Sequence, residues 1–238
     1  MFNKIIKDLQ ESSDPERAKN LQWFFKTGKG EYGKGDIFLG ITVPMLRSIS
    51  KKYQNLDLAE IQKLIENKIH EYRLSALMIL RFKYEKTLRL PIEKRVAQGK
   101  EIVVFYLKNT KKINNWDLVD LSCHYILGNY LLDKDRAILY QLAKSKNLWK
   151  RRIAIISTFE FIRNHQYIDT LEISKILLKD KHDLIHKAGG WMLRELGKRD
   201  KKTEIDFLNK HYKSMPRTML RYAIEKFSDR ERKIYLAK

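Results

Sequence analysis

Cysteine is almost missing from this chain of 238 residues: Cys123 stands alone. That excludes an intramolecular disulfide framework and a thiolate metal cluster. The six histidines are scattered, with no HExxH or HxH spacing, so neither a metal nor a cofactor is expected. Nowhere do 18 apolar residues run together, and the N-terminal MFNKIIKDLQESSDPERAKN lacks an uninterrupted apolar centre. No membrane span and no signal peptide is therefore expected, and the expected location is cytoplasmic. Proline and glycine are scarce, at 4 and 10 residues, and half of the glycines fall between Gly28 and Gly40. The rest of the chain is thus nearly clear of helix breakers.

Acidic residues are also in deficit. Lys plus Arg number 49 against 29 Asp plus Glu, a formal charge of +20. Such an excess repels itself and fits a polyanionic partner: nucleic acid, an anionic membrane or an acidic protein. Solubility charge and a Lys-rich codon usage produce the same composition, so charge alone does not choose among them.

What the chain does contain is helix after helix. Leu58, Ile61, Leu64 and Ile65 follow the spacing of one helical face, as do Leu74, Leu77 and Met78. The pattern returns at Val119, Cys123, Ile126 and Tyr130, at Ile153, Ile156 and Ser157, and at Leu171, Ile176 and Leu177. It continues at Leu184, Ala188, Trp191 and Met192, and at Leu220, Ala223 and Phe227. Asp14-Pro15, Thr42 before Pro44 and Ser214 before Pro216 read as helix starts. Helices recurring every ~18 residues give hairpins of roughly 36, in the range of HEAT, armadillo and TPR repeats. The expected fold is all-α: one domain over residues 1–238, a HEAT-like stack of antiparallel helical hairpins, curved around a concave cationic groove. A compact helical bundle fits the same periodicity.

The segment Gly28-Lys29-Gly30-Glu31-Tyr32-Gly33-Lys34-Gly35 resembles a phosphate-binding loop but fails as one. Gly35 stands where Ser or Thr should hold Mg²⁺, and Leu21 to Lys26 reads as helix rather than strand. Two readings remain for it, a DNA phosphate contact through backbone N–H groups and an ordinary interhelical loop.

Three stretches combine aromatics and charge. In Asn114-Asn115-Trp116-Asp117-Leu118-Val119-Asp120, Trp116 and Asp120 lie one turn apart at the edge of the stripe of Val119, Cys123, Ile126 and Tyr130. A carboxylate beside an indole at a core border suits stabilisation of a developing cation or orientation of a water. It equally describes a core tryptophan beside a surface acid. Lys187, Trp191, Arg194 and Lys198 recur at i, i+4, i+7 and i+11, and Gly189-Gly190 leave room for close packing. Cations around an indole suit a nucleic-acid surface, or a solvated face with a half-buried tryptophan. In Trp149-Lys150-Arg151-Arg152, Arg152 is placed either to grip a phosphate or to lie across apolar surface.

Together these segments resemble the DNA alkylation-repair family, the AlkD-like DNA glycosylases. The resemblance runs from Phe24–Pro44 through Asn114–Asp120, Leu148–Ile155 and Lys187–Leu196 to Pro216–Phe227. It implies a HEAT-like fold with a cationic DNA groove, and excision of N3- and N7-alkylated purines from duplex DNA. By motif match it implies that Trp116 and Trp191 face the lesion's deoxyribose and that Asp120 is the catalytic carboxylate. Arg152 would contact the backbone nearby; Lys187, Arg194 and Lys198 are candidate DNA contacts from the spacing of their stripe around Trp191. The resemblance also implies that the damaged base stays outside any pocket, in keeping with a sequence that advertises none. The expected protein is a monomeric, monofunctional glycosylase. Two alternatives from other classes are a non-catalytic binder of bent or branched DNA and a HEAT-type scaffold for an acidic protein.

Overall fold

The computed structural model describes residues 1–237. They form fourteen α-helices, a π-helical turn and a 3-10 turn, with no strand beyond the isolated parallel bridge between Ile37 and Ile69. The chain divides into two compact units, Met1–Ile126 and Leu127–Lys238. The first contains α1 (Phe2–Glu11), α2 (Pro15–Phe24), α3 (Val43–Lys52), α4 (Leu58–Ile65), α5 (His70–Thr87), α6 (Ile92–Lys108) and α7 (Trp116–Asp120). The second contains α8 (Ala137–Ala143), α9 (Leu148–Arg163), α10 (Ile168–Leu177), α11 (Asp183–Gly197), α12 (Lys201–His211), α13 (Arg217–Ala223) and α14 (Asp229–Leu236). No helix among the described residues is long and apolar enough to cross a membrane.

Local chemistry sets the helix starts. Asp14 caps α2 by accepting the Arg17 N–H at 2.9 Å, with Pro15 at the first helical position. Thr42 caps α3 through the Met45 N–H. Capping boxes open α4 (Asp57 with Glu60) and α14 (Ser228 with Glu231). The start read at Ser214 is corrected: Pro216 holds the cap position of α13, and the Ser214 hydroxyl donates to the His211 carbonyl instead.

Each unit is built around one helix. In the first, α5 packs against α3, α4 and α6, and every residue from His70 to Leu80 is buried. In the second, α9 packs against α8, α10 and α11 and buries Arg152 through Thr158. A helix covered on nearly all sides has no clean apolar stripe, so periodicity alone understates both.

The stripe expected on one regular helix from Val119 to Tyr130 needs correction. Helix α7 ends at Asp120, and the chain resumes as a π-helical turn over His124–Gly128. The Ser122 hydroxyl causes the break by donating back to the Leu118 carbonyl at 2.6 Å, a bond that competes with the helical ladder. Val119, Cys123 and Ile126 are fully buried nonetheless, while Tyr130 is only partly so.

The room left by Gly189-Gly190 is taken by α13. A Cβ on Gly190 would lie 2.4 Å from the Met219 carbonyl oxygen, and one on Gly189 would lie 2.7 Å from Met219 Cε. Helix propensity alone favours Gly190→Ala by about 1 kcal/mol. The clash falls on backbone that cannot rotate away, so Gly190→Ala should instead destabilise the protein by about 1–3 kcal/mol. Urea denaturation checks this, and an unchanged or raised midpoint contradicts the close crossing of α11 and α13.

Candidate active site

Helix α7 is only five residues long, and its direction is set by its first turn. The buried Asn115 side chain accepts the Trp116 N–H at 2.8 Å, and Asp117 Oδ1 accepts the Leu118 N–H at 2.8 Å. Trp116 is half-buried, stacked on Phe25 with ring centroids 5.2 Å apart and planes at 25°, and met at its edge by Phe24 at 5.9 Å. Asp120, one turn on, is also half-buried. Both line a cavity of about 420 Å³ in the first unit, walled by Leu21, Phe24, Phe25, Phe38, Val43 and Leu121. No pocket is evident from the sequence, and here one adjoins the Asp120 carboxylate.

An ionic chain buried beneath that cavity holds α7 in place. His70, at the start of α5, sits between two acids: Nε2 donates to Asp117 Oδ2 at 2.7 Å and Nδ1 to Asp36 Oδ2 at 3.3 Å. Asp36 Oδ1 is paired with Arg73 Nη2 at 2.8 Å and accepts from Asn114 Nδ2 at 2.9 Å. Burial opposes charge on the imidazole. The Asp117 charge and hydrogen bond, joined by the Asp36 hydrogen bond, outweigh it and push the pKa up to about 9, so the ring is a cation at neutral pH. Burial likewise raises Asp36, but the His70 hydrogen bond and the Arg73 charge bring its carboxyl below the ordinary value. The ring also stacks on Phe38 at 4.6 Å, so the cation meets aromatic faces as well as carboxylates.

Adjacent bonds fix the cavity's far wall. The Glu71 carboxylate accepts the N–H groups of Leu39, Gly40 and Ile41. Gly40 has φ +85°, and a Cβ there would lie 2.1 Å from the Asp14 carbonyl oxygen, so only glycine fits. The Gly-Lys segment is a turn closed on itself: Glu31 accepts the Gly28 N–H at 2.8 Å, and the Gly33 N–H donates to the Lys26 carbonyl. Helix α2 precedes it, in line with rejection of a nucleotide-binding loop.

The remaining site residues lie in the second unit. Trp191 is half-buried on α11, its ring 6.0 Å from that of Phe159. Each cation of its stripe has a carboxylate partner: Lys187 with Asp183 at 2.7 Å, Lys198 with Glu195 at 2.6 Å, and Arg194 with Glu225. Arg152 is 5% exposed and donates through Nη1 to the Leu184 carbonyl at 2.5 Å, tying α9 to α11.

Against this geometry stand the comparisons with known proteins. The family model described as DNA alkylation repair enzyme matches residues 5–227. The chain belongs to the DNA alkylation repair enzyme family. In fold it is similar to a solved structure from Enterococcus faecalis described as a predicted DNA alkylation repair enzyme. That similarity has a TM-score of 0.67 at 17% identity and covers 92% of this chain and 98% of that one. None of the curated proteins matches.

Trp116 and Asp120 stand out in the sequence of this family member, and the residues beneath them do not. Asp117 was in plain view, three residues from Asp120, but its partner His70 is 47 positions away. Nothing in the local sequence marks His70, one of six scattered histidines.

The raised His70 pKa has a pH signature. Its stabilisation is complete below its ordinary value of 6.5 and is lost as pH rises through about 9. In the second unit, burial pushes Glu204 up to about 8 against the pull of Lys201 and Arg194, which erodes stability between 4.5 and 8. The difference between wild type and His70→Gln isolates the imidazole. Wild-type stability should fall more steeply between pH 6.5 and 9 than that of His70→Gln in urea titrations. Parallel profiles would contradict a charged His70.

Proposed function

We propose that this family member is a monofunctional DNA glycosylase that hydrolyses the N-glycosidic bond of N3- and N7-alkylated purines in duplex DNA. The observation that carries the reading is the placement of Trp116 and Asp120 one turn apart on α7, half-exposed at a cavity wall and anchored by the ionic chain of Asp117 and His70.

The chemistry suits these groups. An N-alkylated purine already bears a positive charge, so when the bond from C1′ to the base nitrogen breaks, its electron pair leaves with the base, which departs neutral. No protonation of the leaving group is needed. The sugar is left as an oxocarbenium ion, and a carboxylate and indole faces are what stabilise such a cation. Water then adds its oxygen to C1′ and loses a proton, leaving an abasic site. In this reading Asp120, Trp116 and Trp191 attend the sugar and Lys187, Arg194 and Lys198 serve the DNA backbone, while Arg152, expected to touch a phosphate, is 5% exposed and supports α11 through the Leu184 carbonyl instead. The protein acts as a cytoplasmic monomer without metal or cofactor.

The ion pairs of the α11 stripe do not oppose a DNA role. Lys187 and Asp183 are 40% and 54% exposed, and exposed pairs are worth roughly 0–1 kcal/mol, so a phosphate can displace Asp183; Glu195 is only 10% exposed but keeps Arg194 and Arg199 as partners when Lys198 turns to a phosphate. DNA affinity should fall steeply with salt, with a log–log slope of about −0.9 per phosphate neutralised. Lys187→Ala and Lys198→Ala should each flatten it by roughly one unit. Affinity indifferent to salt would contradict a phosphate-binding surface.

Asp120→Asn tests the catalytic assignment, because it keeps the side chain's shape and deletes its charge. Single-turnover release of 7-methylguanine should drop roughly 10²-fold or more, while DNA affinity holds or rises slightly. Release at the wild-type rate by a folded variant would make Asp120 structural.

A further inference from the structure

Helix α5 has a second cavity at its far end. About 460 Å³ in volume, it shares no lining residue with the cavity beside Asp120. Lys83 on its wall stands roughly 20 Å along α5 from His70, at about 1.5 Å per residue. The volume falls within the range of about 300–1,000 Å³ of small-molecule sites. Leu58 of α4, Leu90 after α5 and Ile102 of α6 give the cavity an apolar side. Lys83 and Lys86, one turn apart on α5, give it a charged one.

Lys83 is the anomaly. It is half-buried, yet among the described residues it forms neither an ion pair nor a hydrogen bond. Comparable half-buried cations are each held by a carboxylate: Arg136 by Asp169 and Arg151 by Asp180. Burial pushes the Lys83 amine below its ordinary value. The like charge of Lys86 pushes it further, against a weaker pull from Asp57 and Glu101. Lys86 donates only to the Asn55 side-chain oxygen, at 3.5 Å. Two like charges at this spacing destabilise the helix that carries them unless an anion joins them.

The acids of the lining do not meet that need. Asp57 Oδ1 already accepts the Glu60 N–H at 2.7 Å, within the capping box of α4. Glu101 is exposed and forms no ion pair with either lysine. A singly charged group would leave one lysine uncompensated, and an inorganic ion alone would leave the apolar side uncovered. Lysine holds phosphate as a point charge and asks no planar geometry of it.

We propose that this cavity binds a small phosphomonoester, its dianionic head between Lys83 and Lys86 and its apolar body against Leu58, Leu90 and Ile102. A duplex backbone phosphate carries a single charge and no free apolar body, so DNA is not the occupant.

The test titrates the intact protein with phenyl phosphate. Benzoate serves as the monoanionic control and inorganic phosphate as the head alone. Calorimetry gives the affinities, and nuclear magnetic resonance of the lysine side chains locates the site. Phenyl phosphate should bind saturably, at least tenfold more tightly than either control. Lys83→Gln and Lys86→Gln should each weaken it tenfold or more, and Lys83→Arg should largely keep it. Lys202→Ala, exposed on α12 in the second unit, should leave it unchanged. Lys83 should titrate below 10.5 in the free protein and move up when the ester is bound. Benzoate or inorganic phosphate binding as tightly as the ester would overturn the inference. So would an equal loss in Lys202→Ala, or indifference to both glutamine variants when their melting profiles match the wild type. Displacement of the ester by an equimolar undamaged duplex would also overturn it, by making the two lysines part of a DNA surface.

Discussion

A buried imidazolium flanked by two carboxylates governs the first unit. Removing such a charge from water is costly, and only good geometry on both sides compensates. His70 has it, with Asp117 on one ring nitrogen and Asp36 on the other. Because the two acids come from α7 and from the segment before α3, the buried cation is compensated only when both are in place. Arg73 and Asn114 close the arrangement around Asp36. Taking out one partner would leave an uncompensated buried charge, at a cost of about 3–5 kcal/mol. Short α7, which has too few residues to be stable alone, thereby acquires a fixed direction.

That fixed direction bears on chemistry. On the proposed glycosylase reading Trp116 and Asp120 must stay aligned, because electrostatic stabilisation of a cation works best when no group must reorganise. The aromatic cluster of Phe24, Phe25 and Phe38 covers the ionic chain on the cavity side, keeping water from the imidazole. In the second unit the equivalent rigidity comes from packing: Gly189-Gly190 let α13 approach α11, and Arg152 ties α9 to α11. Trp191 stands on that support with its neighbouring cations already held by acids.

Much of this was legible in the sequence because it is local. Helix caps at Asp14 and Thr42, the buried positions 119, 123 and 126, and the one-turn spacing of Trp116 and Asp120 depend on residues a few positions apart. The failures are non-local or subtle. His70 and Asp117 share no pattern, so their bond could not be anticipated. Ser122 is an unremarked serine until its hydroxyl bonds back to Leu118 and ends a helix. Helices α5 and α9 hide their centrality because burial on every side erases periodicity. The cavity beside Asp120 arises from five elements meeting, and no single segment encodes it. Arg152 read equally well as a phosphate ligand and as a guanidinium across apolar surface, and its burial is a tertiary fact.

On the proposed reading this member of the DNA alkylation repair enzyme family breaks a glycosidic bond and does more than hold DNA. The most direct measurement is chromatography of the bases freed when the wild-type protein is incubated with methylated duplex DNA. Free N3- and N7-methylpurines are expected, with the DNA strand left intact at abasic sites. Tight DNA binding with no methylpurine in the eluate would contradict it and support a non-catalytic binder on the same fold.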